Sequence, residues 1–468
     1  MPDERRDQIH RLREAELDVL VVGGGINGAG IIRDLALRAR HGRTPLRIGL
    51  VEQKHFGSGT SGKNSQLIHG GLRYLKYFQL RLVRESLHER SVLLKIAPQF
   101  VQPQPFLLPM FGLRSRLIYG TGLWLYDRLA GAHAIARHRI IQRRSIAEIE
   151  PDLSTDGLSA AAIFYDCKVQ SARFVVENIL DAIANGAAAA NYIRAESWAR
   201  DAAGFWAVHC LDALTGEQFE LRARKLVDAR GAWSNGDSLR LVRGSHIVIP
   251  RVNASENAIA HFEPDGRIVF LIPWGSRNQL TLVGTTDEDH DASPDRVHIS
   301  KREMEYLTGV VRKLFPRIRE VAPVSAFSSL RPLVRDESAS ATTASRDHRI
   351  WNSADGILHI AGGKYTGYRL MSEEACDLIC RETAAELAGL RVTASAPFPA
   401  VQREIGDALE QHLRDYLFVS TYLGYERQWD LQGLQPLAEQ LGSKRNWDEA
   451  RVHEEVNDII ETSQPVGA

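Results

Sequence analysis

The chain has 468 residues, 44% hydrophobic and 25% charged, a length that suits two or three domains around a large core. Its 58 Lys plus Arg match 58 Asp plus Glu, and zero net charge argues against general nucleic-acid binding, which needs a basic excess. Four cysteines are too few for a disulfide framework in a chain this size.

The opening MPDERRDQIHRLREAEL is charged and lacks the apolar core of a secretory signal. Residues 16–30, ELDVLVVGGGINGAG, then run from an apolar stretch (Val19 to Val22) into glycines spaced G-x-G-x-x-G at Gly23, Gly25 and Gly28. A helical stretch opening on Ile26 and Asn27 leads to a second apolar run, Ile48 to Val51, that closes on Glu52. Each part has a physical job in holding a dinucleotide. Gly23 permits a tight turn, Gly25 lets a pyrophosphate approach the backbone, and Gly28 lets helix pack on strand. The helix start presents N–H groups and partial positive charge to phosphate. Glu52 accepts hydrogen bonds from a ribose diol.

Apolar residues recur at helical spacing over 80–97. Pro98, Pro103, Pro105 and Pro109 then break the pattern and suggest a crossing between domains. Residues 105–131 are the most apolar stretch. Arg114, Arg116 and Arg128 interrupt them, so the segment falls short of the ~18 unbroken apolar residues of a spanning helix. Two readings stay open: a helix lying flat in a membrane interface, or an amphipathic segment packed on its own protein. A helix follows over 171–187 with Gly186 as its cap, then a meander of short strands ending at Gly231. Residues 240–290 alternate like strands and 301–315 return to helix. From 357 a strand runs into Gly362 and Gly363 and a long helix that ends at Gly389. Cys376 and Cys380 read as packing residues of that helix, with no metal site around them. The tail from 396 is polar and helix-leaning. A dinucleotide start, a β-rich middle and a late strand–glycine–helix unit imply an α/β fold of two interleaved domains. The second glycine turn favours FAD over NAD.

The stretches GGGINGAG, SGTS, LIHGGLRYL, RLVRESLHERSVLLKIAP, RGSHIVIPR, VGTTD, LRPL and AGGKYTGYR resemble the FAD-dependent glycerol-3-phosphate dehydrogenases over roughly residues 15–385. The resemblance implies a glutathione-reductase-like FAD-binding Rossmann domain, an inserted β-sheet substrate domain and a short C-terminal helical region. The FAD-binding segments are expected at 1–98, 166–236 and 326–395, the substrate segments at 99–165 and 237–325, and the tail at 396–468. FAD is expected on Gly23, Gly25, Ile26, Asn27, Gly28, Glu52, Thr60, Ser61, Ala195, Gly231, Gly362, Gly363, Lys364 and Thr366. The helix near Thr366 is expected to aim its positive end at the reducible ring.

The implied reaction oxidises the secondary alcohol of glycerol-3-phosphate or a related polyol phosphate by hydride transfer to flavin. Electrons then leave to a quinone or oxygen. Arginine suits a phosphate clamp, because its planar fork binds two oxygens at once. Arg73, Tyr74, Arg331, Arg346 and Lys364 are the substrate-binding candidates. The catalytic candidates are Arg331, Lys364 and one of two histidines as base, His69 or His246, with His69 preferred for its glycine neighbours. Gln66, Arg230 and Arg243 depart from the residues usual in relatives. Two alternatives stand beside this reading: a same-fold flavin oxidoreductase of an amino or hydroxy acid, and a flavin-carrying subunit without turnover. A cytoplasmic protein is expected, with peripheral contact on the inner membrane face and a homo-oligomer left open.

Overall fold

The computed structural model describes residues 4–14, 16–234, 239–334 and 348–462. Two sheets organise it. The first carries, in spatial order, His348–Asn352, Leu358–Gly362, Gln218–Asp228, Leu17–Val22, Ile48–Val51 and Ala188–Ala190. From Leu358–Gly362 to Ala188–Ala190 every neighbouring pair is parallel. A hairpin of Ile193–Arg200 and Trp206–Asp212 extends off Gln218–Asp228. Val19 to Val22 and Ile48 to Val51 are wholly buried, as expected of parallel strands covered on both faces. The helix Ile26–Gly42 covers one face, wedged between helices Ser171–Ala184 and Tyr368–Thr383. Arg38 locks this layer, pairing at 2.6 Å with both Asp34 and Asp377.

The second sheet runs Glu288–Asp289, Leu239–Pro250, Leu280–Gly284, Ile268–Trp274, Ala258–Phe262, Val101–Phe111, Leu158–Val169 and Leu67–Ile68. Ser325–Val334 pairs with Leu239–Pro250, and Arg139–Gln142 with Leu158–Val169. Its outer face is covered by the helix Lys301–Leu314, whose capping box joins Ser300 and Glu303. Two expected segment boundaries move. Residues 326–334, assigned to the FAD-binding part, lie in the second sheet, and so do Leu67 and Ile68. Each of these strands lies wholly in the second sheet, and hydrophobic alternation carries no mark of which sheet a strand joins.

The prolines at 103, 105 and 109 do not break structure; they sit inside the eleven-residue strand Val101–Phe111. All three share one parity, so their missing N–H groups face a single edge. The apolar stretch after them becomes the helix Gly112–Ala130. The helix expected over 171–187 stops at Ala184, capped by Asn185 ahead of Gly186. The tail forms helices Leu431–Arg445 and Glu449–Thr462 around a small core of its own, including Leu413, Trp429, Leu441 and Val456. No described helix is long and apolar enough to cross a membrane.

Candidate functional site

A cavity of about 1020 Å³ opens between the two sheets. At one end it meets the first glycine turn. Gly23 has φ of +114°, and a Cβ there would lie 2.6 Å from the Ala229 carbonyl oxygen. A Cβ on Gly28 would stand 1.9 Å from the Gly23 carbonyl oxygen, so helix and strand meet backbone to backbone. Ser61 Oγ accepts the Ile26 N–H at 2.9 Å. Glu52 accepts the Gly24 and Lys54 N–H groups, one on each carboxylate oxygen. Burial raises its pKa while those two donors act the other way. Ala195, Gly231, Gly362 and Gly363 line the same space.

At the other end three cations converge. Arg331 reaches Asp287 at 2.7 Å, the Thr286 carbonyl at 3.1 Å and Thr285 Oγ1 at 2.7 Å. Arg73 lies 3.5 Å from the second oxygen of the same Asp287. Lys364 Nζ sits 3.8 Å over the Tyr74 ring and Arg73 5.3 Å from its centroid, so one aromatic ring serves two cations. Asp287 stands behind the cavity wall and aims both guanidinium groups. Among the described residues this end of the cavity is predominantly cationic, which suits an anionic group such as a phosphate monoester.

The two histidines differ sharply. His246 is 1% exposed, stacks on Phe327 at 5.1 Å and shares a 2.9 Å hydrogen bond between Nε2 and Ser65 Oγ. Burial, and then the charge of Arg331, push its pKa down to about 3, and Nδ1 has no hydrogen-bond partner among the described residues. A base that weak is poorly matched to an alcohol proton near neutrality. His69 stands in the cavity wall with its ring edge toward Phe270. Its backbone is held from two sides. The His69 N–H donates to Thr366 Oγ1 at 3.1 Å, and the next N–H, that of Gly70, donates to the Tyr126 hydroxyl at 2.9 Å. Tyr126 in turn donates to Asp166, which pairs with Arg90 at 2.6 Å.

Most expected residues therefore face one cavity: Gly23, Gly25, Ile26, Asn27, Glu52, Thr60, Ser61, His69, Arg73, Tyr74, Ala195, Gly231, His246, Arg331, Gly362, Gly363 and Lys364. Thr366, expected along the flavin, is instead 1% exposed behind the wall and braces His69. The helix after it starts only at Tyr368, because Tyr365–Gly367 form a separate 3-10 turn. Gly28 likewise lies outside the lining and acts through packing. Arg346 lies outside the described residues. The departures are absorbed locally. Arg230 folds back on Asp228 with a two-pronged contact and stacks over Trp198; Arg243 pairs with Glu303 at 2.9 Å; Gln66 accepts from Trp274. Sequence reasoning missed Asp287, although it closes the quoted VGTTD motif. It also missed the tail, whose Arg414, Phe418, Tyr425 and Arg451 line the cavity without any motif to announce them.

The family model described as FAD dependent oxidoreductase matches residues 18–371. The aerobic glycerol-3-phosphate dehydrogenase of Staphylococcus epidermidis is 33% identical over 400 residues, covering 82% of this chain and 70% of that one. The chain belongs to the FAD-dependent oxidoreductase family and, within it, groups with the glycerol-3-phosphate dehydrogenases. The glycerol-3-phosphate dehydrogenase of Bacillus halodurans, solved with FAD, superposes with a TM-score of 0.77 at 23% identity, covering 98% of this chain and 97% of that one. The L-alpha-glycerophosphate oxidase of Mycoplasma pneumoniae, also with FAD bound, gives 0.59 at 17% identity over 82% and 99%. Both likenesses bear on the fold. The residues of this FAD-dependent oxidoreductase fit its cofactor. The Gly23 and Gly28 approaches leave no room for side chains, and the cavity lies at the upper end of the ~300–1,000 Å³ of ordinary ligand sites, as suits a large dinucleotide.

His246 sets a pH dependence of stability. Its folded-state pKa of about 3 lies below the ordinary 6.5, so below 6.5 the unfolded chain takes up a proton that the folded chain refuses. Stability present above pH 6.5 is lost as pH falls towards 3. Between pH 7 and 5 the urea unfolding free energy of the wild type is expected to fall by about 1–2 kcal/mol more than that of His246→Gln. Parallel falls in the two proteins would refute the buried, neutral imidazole.

Proposed function

We propose that this enzyme oxidises the secondary alcohol of glycerol-3-phosphate, or of a closely related polyol phosphate, to the ketone. The observation that carries the reading is the set of Arg73, Arg331 and Lys364 in the same cavity as the Gly23–Glu52 dinucleotide turn. The names of the 33%-identical relatives support it. Gly23, Gly25 and the start of the Ile26–Gly42 helix would hold the diphosphate, Glu52 the ribose, and Gly362 and Gly363 the ring end. Bound FAD supplies a two-electron acceptor, which no protein side chain here provides. The side chains do the rest. Arg73 and Arg331, aimed by Asp287, bind the phosphate, and Lys364 adds the third positive charge. His69 takes the hydroxyl proton, since the His246 imidazole is too weak a base.

Anaerobic mixing with a panel of polyol phosphates and unphosphorylated hydroxy and amino acids tests the substrate class. Glycerol-3-phosphate should bleach the flavin, and inorganic phosphate should compete with it. Bleaching by a carboxylic acid, unaffected by phosphate, would replace this reading with the hydroxy- or amino-acid one. His69→Gln should lower turnover by about two to four orders of magnitude with flavin still bound; near-wild-type turnover would remove His69 from the base role.

Peripheral membrane contact belongs to the same proposal. The helix Gly112–Ala130 exposes Leu113 by 74%, Leu117 by 72% and Trp124 by 53%, beside exposed Arg114 and Arg116. Apolar side chains flanked by arginines suit an anionic interface. The wild type should float with vesicles containing anionic lipid and the Leu113→Ser/Leu117→Ser double variant should stay behind. Equal flotation would move the contact elsewhere.

A further inference from the structure

We infer that Lys63 and Arg414 form an anion site at the dinucleotide end of the cavity, built to take the diphosphate of the bound cofactor, with Lys63 as its principal charge. This inference rests on the FAD reading above and concerns residues that neither the glycine motif nor the substrate clamp contains. Lys63 follows Ser61, whose Oγ holds the first N–H of the dinucleotide helix, and it opens into the cavity. Among the described residues its ammonium has no hydrogen bond and no acidic partner.

The acids nearby explain why. The carboxylates lining the cavity are Glu52, Asp295, Asp415, Glu454, Glu455 and Asp458. Each is already engaged. Glu52 takes two backbone N–H groups, and Asp295 takes Lys54 at 3.0 Å and the Trp233 indole at 3.1 Å. Asp415 takes the Tyr192 hydroxyl at 2.6 Å, and Asp458 takes Arg414 at 3.1 Å. Glu454 and Glu455 share Arg451, with His412 on Glu455. What surrounds Lys63 is positive: Lys54 from the end of the second strand and Arg414 from the tail. Burial first, and then these two charges, lower its pKa. A half-buried ammonium facing two cations and no anion costs free energy. A bound diphosphate removes that cost and gains charge-assisted hydrogen bonds. Because Arg414 comes from the tail, the C-terminal segment is part of the cofactor site as well as its cover.

The test measures flavin affinity of the full-length protein rather than turnover. FAD release by dialysis is compared for wild type, Lys63→Met, Lys63→Gln and Lys63→Arg, with ADP and adenosine as competitors. Both neutral variants should weaken FAD by about 10–100-fold, the value of a charge-assisted contact, with Lys63→Arg restoring most of it. ADP should weaken in parallel, adenosine should not, and the salt dependence of FAD binding should flatten. Matching far-UV melting curves separate loss of charge from loss of fold. Neutral variants with wild-type FAD affinity and an unchanged preference for ADP over adenosine overturn the inference. So does a raised KM for the polyol phosphate with FAD affinity intact, which would put Lys63 at the substrate end. A wild type that binds no flavin at all instead overturns the cofactor reading underneath.

Discussion

The backbone contact between Gly28 and Gly23 is the constraint on which the rest of the molecule depends. With only 1.9 Å between a notional Cβ and a carbonyl oxygen, any side chain at position 28 would push the helix Ile26–Gly42 off the sheet. That helix is the middle layer between two others contributed by residues 171–184 and 368–383, so its position sets where the late glycine turn arrives. Burial of Arg38 between Asp34 and Asp377 then fixes the register of these distant segments. Removing one partner of such a pair would leave a charge stranded in the core.

The second organising feature is a division of labour among acids. Asp287 and Asp166 stand outside the cavity lining; Asp287 aims two side chains that belong to it, and Asp166 holds the backbone next to a third. Asp287 joins Arg73 to Arg331, and Asp166 joins Arg90 and Tyr126 behind the His69–Gly70 loop. Tyr126 belongs to the helix whose outer face carries Leu117 and Trp124. The apolar surface of that helix and the brace on the proposed base are therefore opposite sides of one element. Functional side chains held by such outer contacts lose little freedom on binding.

The departures from the usual family residues have the same character. Arg230 is a large residue for its turn. It fits because Asp228 and the Trp198 ring provide both a counter-charge and a face to lie on. The carboxyl of Asp228 is held well below the usual range by His359 and Arg230 against the opposing effect of burial. Arg243 is neutralised by Glu303. Neither arginine adds a free charge to the substrate end.

The dinucleotide turn was legible because its chemistry is local: strand, glycines, helix and Glu52 all lie within forty residues, each with a spacing that only one geometry satisfies. Arg73, Lys364 and the histidines were legible as motif members, while the preference for His69 over His246 rested on its glycine neighbours alone. Local spacing says nothing of burial, and burial is what separates His246 from His69. Thr366 was misplaced for a related reason. A short 3-10 turn delays the helix start, and no periodicity reports it. The prolines of Val101–Phe111 were misread because their tolerance depends on which edge of the strand is paired, a property of the neighbouring chain. Asp287 meets Arg73 across 214 positions, and the lining residues of the tail return to the cavity from the far end of the described chain. The sequence by itself therefore determined the cofactor class and the elements that carry it. Only the tertiary structure decided which charges face one another, because electrostatic partnership depends on distance through space and on exclusion of water, neither of which is written along the chain.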